Sequence, residues 1–167
     1  MSRLAFYTFG VLKAPVGDPR VQGFFDRADT VLSHATASVG FIALDDGTWG
    51  PRAFPGFFDR RKHHPAQVTL SLWTDLESVC AFAYRGVHLE AFKKRRAWAE
   101  DGDWPRYVAW WVDDDEVPTP EEACARLQRL YERGPTPSAF DFRQPYDEAG
   151  RPRELDRDLF RECVRQN

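Results

Sequence analysis

Four stretches between Leu4 and Val112 read as β-strands, and the gaps between them differ in kind: helical, irregular, helical. Leu4 to Leu12 sets Leu4, Phe6 and Thr8 against Ala5, Tyr7 and Phe9, apolar on both faces, which marks a central strand covered on two sides. Val39 to Leu44 is the second strand, Gln67 to Trp73 the third, and Arg106 to Val112, dense in Tyr107, Trp110 and Trp111, the fourth. In the third, Val68, Leu70 and Leu72 alternate with Gln67, Thr69 and Ser71, so its polar side must meet water, a partner subunit or a pocket.

The helical gaps carry start signals. Asp18-Pro19 offers a cap and a first-turn proline, followed by Val21, Phe24, Phe25, Ala28, Val31, Leu32 and Ala35 on one stripe, which predicts a helix over about residues 19–36. Thr74-Asp75-Leu76-Glu77 reads as a capping box for a second helix, with Leu76, Val79, Cys80 and Ala83 inward, until Gly86 weakens the pattern and a further helical stretch runs from His88 to Glu100. Thr119-Pro120-Glu121-Glu122 is another capping box, opening a helix that stops at Gly134. The order β-α-β-β-α-β-α predicts an α+β fold of the ferredoxin-like, split β-α-β kind, with a four-stranded antiparallel sheet.

That domain spans residues 1–142. Within its tail, Ala139-Phe140-Asp141-Phe142 offers a further extended strand, and residues 143–167 form a charged extension with a short helix over Arg153 to Arg165. The connection from Asp45 to Ala66 is long, rich in Gly and Pro, and too aromatic for a solvated linker, with Trp49, Phe54, Phe57 and Phe58. A loop of this length is usually a lid, an interface arm or the wall of a site.

Charge and cysteine content narrow the function classes. The 23 Lys and Arg against 26 Asp and Glu leave a formal net charge of −3, without the basic field that nucleic-acid binding relies on. Cys80, Cys124 and Cys163 lie far apart with no CxxC pair, which argues against zinc ribbons, redox dithiols and disulfide scaffolds. No apolar run approaches the roughly 20 residues of a membrane span. The first residues enter a strand pattern directly, so a cytoplasmic protein is expected, with neither membrane nor nucleic acid among its partners. No GxGxxG, P-loop, GxSxG or HExxH sequence occurs.

At Gly40-Phe41, Ser71-Leu72-Trp73, Phe82-Ala83-Tyr84-Arg85-Gly86-Val87-His88, Arg95-Arg96-Ala97-Trp98, Trp110-Trp111-Val112, Pro118-Thr119 and Gly134 through Phe140, the chain resembles the bacterial and fungal domain of unknown function 3291 family. The resemblance runs over nearly all of residues 4–142. It implies the dimeric α/β-barrel superfamily, in which two sheets pack face to face across a homodimer, and it implies no reaction. A more distant likeness, carried by Ser71-Leu72-Trp73, Phe82-Ala83-Tyr84 and His88, is to spheroidene-monooxygenase-like haem proteins. Where members of the first family carry Gly-His before the Pro-Thr helix start, this chain has Asp113-Asp114-Asp115-Glu116-Val117. Those acids lack the alternating spacing of a calcium loop and read as a solvated turn.

The candidate chemistry centres on His88, whose helical stripe holds Ala91, Phe92, Arg95 and Trp98. In the haem reading, His88 Nε2 is the iron ligand, Arg95 or Arg96 pairs with a propionate, and Phe92 and Trp73 are further cofactor contacts. In a cofactor-free reading, His88 and a tyrosine, Tyr84 or Tyr107, move protons. The bland alternative has His88 bonding backbone at a helix start, the arginines solvating the surface, and the whole serving as a non-catalytic binding or dimerisation module. His63 and His64, beside Arg60, Arg61 and Lys62, read as a solvated basic turn, His34 as a helix-end histidine and Cys80 as core. The expected function is thus a small-molecule-transforming enzyme, with an apolar or aromatic ligand and the 45–66 loop as cover. Its strand aromatics Tyr7, Phe9, Trp73, Trp110 and Trp111 are expected to meet a second subunit's sheet.

Overall fold

The computed structural model describes residues 2–64 and 66–166. Strand β1 (Arg3–Val11) sits centrally, because only a place between two strands and two layers buries both of its apolar faces. It pairs antiparallel with β3 (Ala66–Trp73) and with β4 (Tyr107–Val112), and β2 (Phe41–Leu44) pairs with β3 to complete the order β2-β3-β1-β4. Helix α1 (Pro19–Ala37) links β1 to β2, while α2 (Leu76–Ala83) and α3 (Gly86–Lys94) link β3 to β4. This is the α+β, ferredoxin-like arrangement expected from the element order. Helices α4 (Pro120–Arg133) and α5 (Arg157–Gln166) follow. No helix among the described residues is long and apolar enough to cross a membrane.

Register divides the side chains into two sets. Ala5 lies opposite Leu72 and Trp110, and Tyr7 opposite Leu70 and Val108, which puts these residues on one face. Leu4, Phe6 and Thr8 lie opposite Trp73, Ser71 and Thr69 on β3, and opposite Trp111, Ala109 and Tyr107 on β4, on the other face. The five strand aromatics therefore do not share a face: Tyr7, Phe9 and Trp110 point one way, Trp73 and Trp111 the other.

The face of Tyr7, Phe9 and Trp110 is covered by the chain itself, where a second sheet was expected. Helix α4 contributes Ala123, Cys124, Leu127 and Leu130 to its core, and the 45–66 connection contributes Phe58, with Trp49, Phe54 and Phe57 packed around it. Phe58 and Phe57 meet Phe9 edge-on, at centroid distances of 5.3 and 5.7 Å. Polar ties hold the connection in place: Asp45 Oδ1 accepts from the Gly47 and Trp49 amides, the Phe57 amide donates to Gln128 Oε1 at 2.8 Å, and the Arg52 guanidinium donates to the Ala66 carbonyl. The connection is core, and its expected role as a lid is corrected. His63 likewise belongs to it rather than to a solvated turn, with Nδ1 2.9 Å from Glu100 Oε2 and its ring stacked on Phe58.

Three local readings also change. The cap of α2 is Asp75, whose side chain accepts from the Ser78 amide, so Thr74 and Glu77 do not form a capping box. Glu77 is 1% exposed and instead binds the Arg153 guanidinium and the Asp156 amide at 2.7 Å. That tie, with Cys163 Sγ against Ser78 Oγ, docks the segment after residue 142 onto α2 and delays the last helix to Arg157. The stretch expected as a helix from His88 to Glu100 is α3 followed by one 3₁₀ turn at Arg95–Ala97, after which Ala99 bridges to Leu12. Phe140 does pair with the free edge of β4, exchanging both backbone bonds with Ala109. Gly40, at φ 77°, is required where the chain enters β2, because a Cβ there would lie 2.2 Å from Ser78 Oγ.

Candidate functional site

The second face of the sheet is only partly filled. Helix α1 presents the apolar stripe expected of it, yet only Val21 and Ala35, near its two ends, are buried. Beneath its middle the sheet carries Gly10, Thr8, Thr69 and Gln67, whose side chains are absent, short or polar and do not reach the helix. The result is a cavity of about 480 Å³, within the usual range for a small-molecule site. Its roof is Phe24, Phe25, Ala28, Val31 and Leu32 of α1, and its side wall is α3. The polar side of β3 therefore faces a pocket, with Thr8 Oγ1 and Thr69 Oγ1 hydrogen-bonded at 2.6 Å on the floor.

His88 lies on this wall together with Ala91, Phe92, Arg95 and Trp98, the stripe expected from their spacing. Its Nδ1 is 2.8 Å from the Ala83 carbonyl, where α2 ends, and so carries the proton and donates. In the neutral ring, Nε2 is then left as a lone-pair acceptor. Burial lowers the His88 pKa below the ordinary histidine value, the Ala83 bond partly opposes this, and nearby His34 adds to the lowering. At neutral pH the ring is an uncharged base. Phe82 packs against it at 4.6 Å between centroids and stacks in turn on Trp73. His34, at the end of α1, also lies near Phe82, with its buried Nδ1 unpartnered among the described residues.

Both candidate tyrosines are present. Tyr107 lies on the cavity side of β4, and its Oη accepts the Phe142 amide at 3.2 Å. Burial, and next the adjacent Tyr84, raise its pKa, so it serves as a hydrogen-bond donor and is unsuited to act as a base. Tyr84 is exposed at the rim, edge-on to Phe142. Arg95 lines the cavity, with its guanidinium 4.2 Å over the Phe92 ring. Arg96 does not line it: the side chain is exposed and pairs with Asp101 at 3.0 Å, so its expected role toward a ligand is corrected. Cys80 is buried with a raised pKa and is the inert core residue expected.

Sequence reasoning passed over Arg27 and Arg106, which also line the cavity, and the Thr8–Thr69 floor. The alternation of Gln67, Thr69 and Ser71 was the available signal for the floor; its pairing with Thr8 needed the strand register. Among the described residues no three His, Cys, Asp or Glu side chains gather as a metal site, so His88 has no pair of further such donors beside it. A bare ion does not fit such a donor set. Haem, whose ring supplies the remaining nitrogens, does: His88 Nε2 can face iron, Arg95 a propionate, and Phe92 and Trp73 the ring.

Comparison with known proteins adds the following. A model of the family described as Domain of unknown function (DUF3291) matches residues 3–156. No curated protein matches the chain. Among solved structures, a protein of unknown function from Nitrosomonas europaea is similar at 13% identity and a TM-score of 0.47, over 71% of this chain and 97% of that one. SnoaB, a cofactor-independent oxygenase from Streptomyces nogalater, aligns at 11% identity and a TM-score of 0.42, over 70% and 97%. A dabb family protein with a ferredoxin-like fold from Mesorhizobium loti aligns at 13% and 0.42, over 71% and 98%.

Proposed function

The chain belongs to the DUF3291 family, and from that premise we propose that it is an enzyme whose small, largely apolar substrate lies between the sheet and helices α1 and α3, where His88 takes a proton from it. The observation that carries this reading is the tautomer of His88. An uncharged imidazole, held at Nδ1 by a backbone carbonyl and left with a lone pair at Nε2, is a competent general base at the wall of an apolar cavity. Tyr107 can donate a hydrogen bond to the oxygen on which charge develops, and its raised pKa keeps it protonated while doing so. Phe82, packed on the His88 ring, would exclude water from one side of the reacting centre.

A panel of apolar carbon acids, aryl ketones and phenols, incubated in deuterated water and followed by proton NMR, tests the reading. Wild-type protein should exchange a ring or α proton of at least one member, and His88→Ala should not. Exchange that persists in His88→Ala would overturn the assignment.

The second reading is haem, favoured by the same free Nε2 and by Arg95. When bound, haem would supply oxygen activation; the chain's part would be to ligate it through His88 and pair a propionate with Arg95. Hemin titration separates the two: a saturable Soret band at one per chain, lost in His88→Ala, supports haem, and its absence removes this reading. A homodimer, which the family resemblance implies, would need a surface other than the Tyr7–Phe9–Trp110 face, since α4 and the 45–66 connection occupy it. Sedimentation equilibrium at micromolar protein reads out one chain mass or two.

A further inference from the structure

The end of the cavity away from His34 and Phe82 is crowded with guanidinium groups. Arg95 and Arg106 line it from the wall and the start of β4, and Arg27 lines it from α1. Arg106 donates to Asp101 Oδ1 at 2.7 Å and, more weakly, to the Glu100 carbonyl at 3.3 and 3.4 Å. The other Asp101 oxygen is taken by Arg96, and the Glu100 carboxylate by His63. Arg27 donates to the Gly23 carbonyl, lies over Trp98 and interacts electrostatically with Glu90 of α3, whose carboxylate is paired to Lys94. The Arg95 side chain makes one bond, to the Phe92 carbonyl at 3.1 Å, and its buried Nε has no partner among the described residues. Asp101 thus serves Arg106 and the solvent-facing Arg96, and Arg95 lines the hollow with no carboxylate in contact among the described residues.

Guanidinium groups gathered around a poorly hydrated space repel one another, and an anion placed among them relieves that cost. The lowered pKa of Arg106, caused by burial and then by Arg95, has the sign this repulsion requires. We propose that this end of the cavity is a carboxylate subsite, in which Arg95 and Arg106 hold the head group of an amphipathic organic acid whose apolar body lies beneath α1. The Arg95 guanidinium lines the cavity and gives one N–H to the Phe92 carbonyl, which leaves its other terminal amino group for a carboxylate oxygen. Arg95 stands seven residues beyond His88, about 10 Å along a helix axis. The substrate class is therefore an acid in which an apolar body separates the reacting carbon from the carboxylate. This deepens the functional reading above and rests on the cavity being the substrate site.

The test uses 1-pyrenebutyrate and its uncharged analogue 1-pyrenebutanol, titrated by fluorescence into the full chain. The acid should bind about tenfold more tightly than the alcohol, with an advantage that shrinks as salt is added. Arg95→Gln should abolish that advantage without changing the affinity for the alcohol, and Arg95→Lys should restore it only in part, because the charge returns without the planar guanidinium. If the alcohol binds and the acid binds no better, the subsite is refuted and the cavity reading stands. If neither binds, both are refuted. Tighter binding of pyrenyl phosphate than of the acid, with the same dependence on Arg95, would overturn the carboxylate assignment in favour of a phosphate head.

Discussion

Replacing Phe58 by alanine distinguishes a packed 45–66 connection from a mobile cover. Phe58 is 8% exposed, and its ring meets Phe9, Phe54 and His63 at centroid distances of 5.3, 5.5 and 5.7 Å. Removing a ring that buries about 150 Å² at about 25 cal/mol per Å² forfeits about 4 kcal/mol. Measured Phe→Ala costs in cores, about 3–5 kcal/mol, bracket that figure. For a chain of this size, where about 1 kcal/mol moves the melting temperature by 2–4 °C, the expected fall is about 6–20 °C. Leu32→Ala is the internal control: Leu32 is 40% exposed and overhangs the cavity, so its truncation should cost less than about 1 kcal/mol. Urea titration followed by tryptophan fluorescence and far-UV circular dichroism gives both values. Equal, small losses for the two variants, with weakened binding of an aromatic probe only in Phe58→Ala, would refute the packing argument and make the connection a lid.

Arg153→Ala should destabilise by about 3 kcal/mol, because it strands the buried Glu77 carboxylate, and adding Glu77→Gln should recover much of the loss in the same urea assay. Because the His88 pKa is lower in the folded chain than the ordinary 6.5, the unfolded chain takes up the proton first as pH falls. Stability should therefore drop below about pH 6.5 and level off once the folded value is passed, and urea midpoints from pH 7.5 to 5 should show that component missing in His88→Gln. Ala28→Trp, which places an indole in the hollow beneath α1, should abolish binding of 1-pyrenebutanol in a fluorescence titration while the melting temperature is retained or raised.

Features that depend on neighbours along the chain were legible before any coordinates. The four strands and their helical gaps follow from period-two and period-3.6 patterns, and the ends of α1 and α4 follow from Asp18-Pro19 and Thr119-Pro120, which cap as expected. The His88 stripe was legible for the same reason, since Ala91, Phe92 and Arg95 are its helical neighbours whatever covers them. Periodicity states that a face is apolar but not what lies on it. Whether Phe58 would cover Phe9 of its own chain, or leave that face to a second copy, depended on contacts between residues far apart in sequence. The hollow arose in the same way, from Thr8 falling opposite Thr69 under a helix that short side chains cannot reach, a matter of strand register. Glu77, read as a cap, became a buried anchor because Arg153 folds back onto it. Local sequence determined the elements and the helical stripe of His88; only the tertiary structure decided which face is solid and which is hollow, because packing depends on side-chain reach across the sheet.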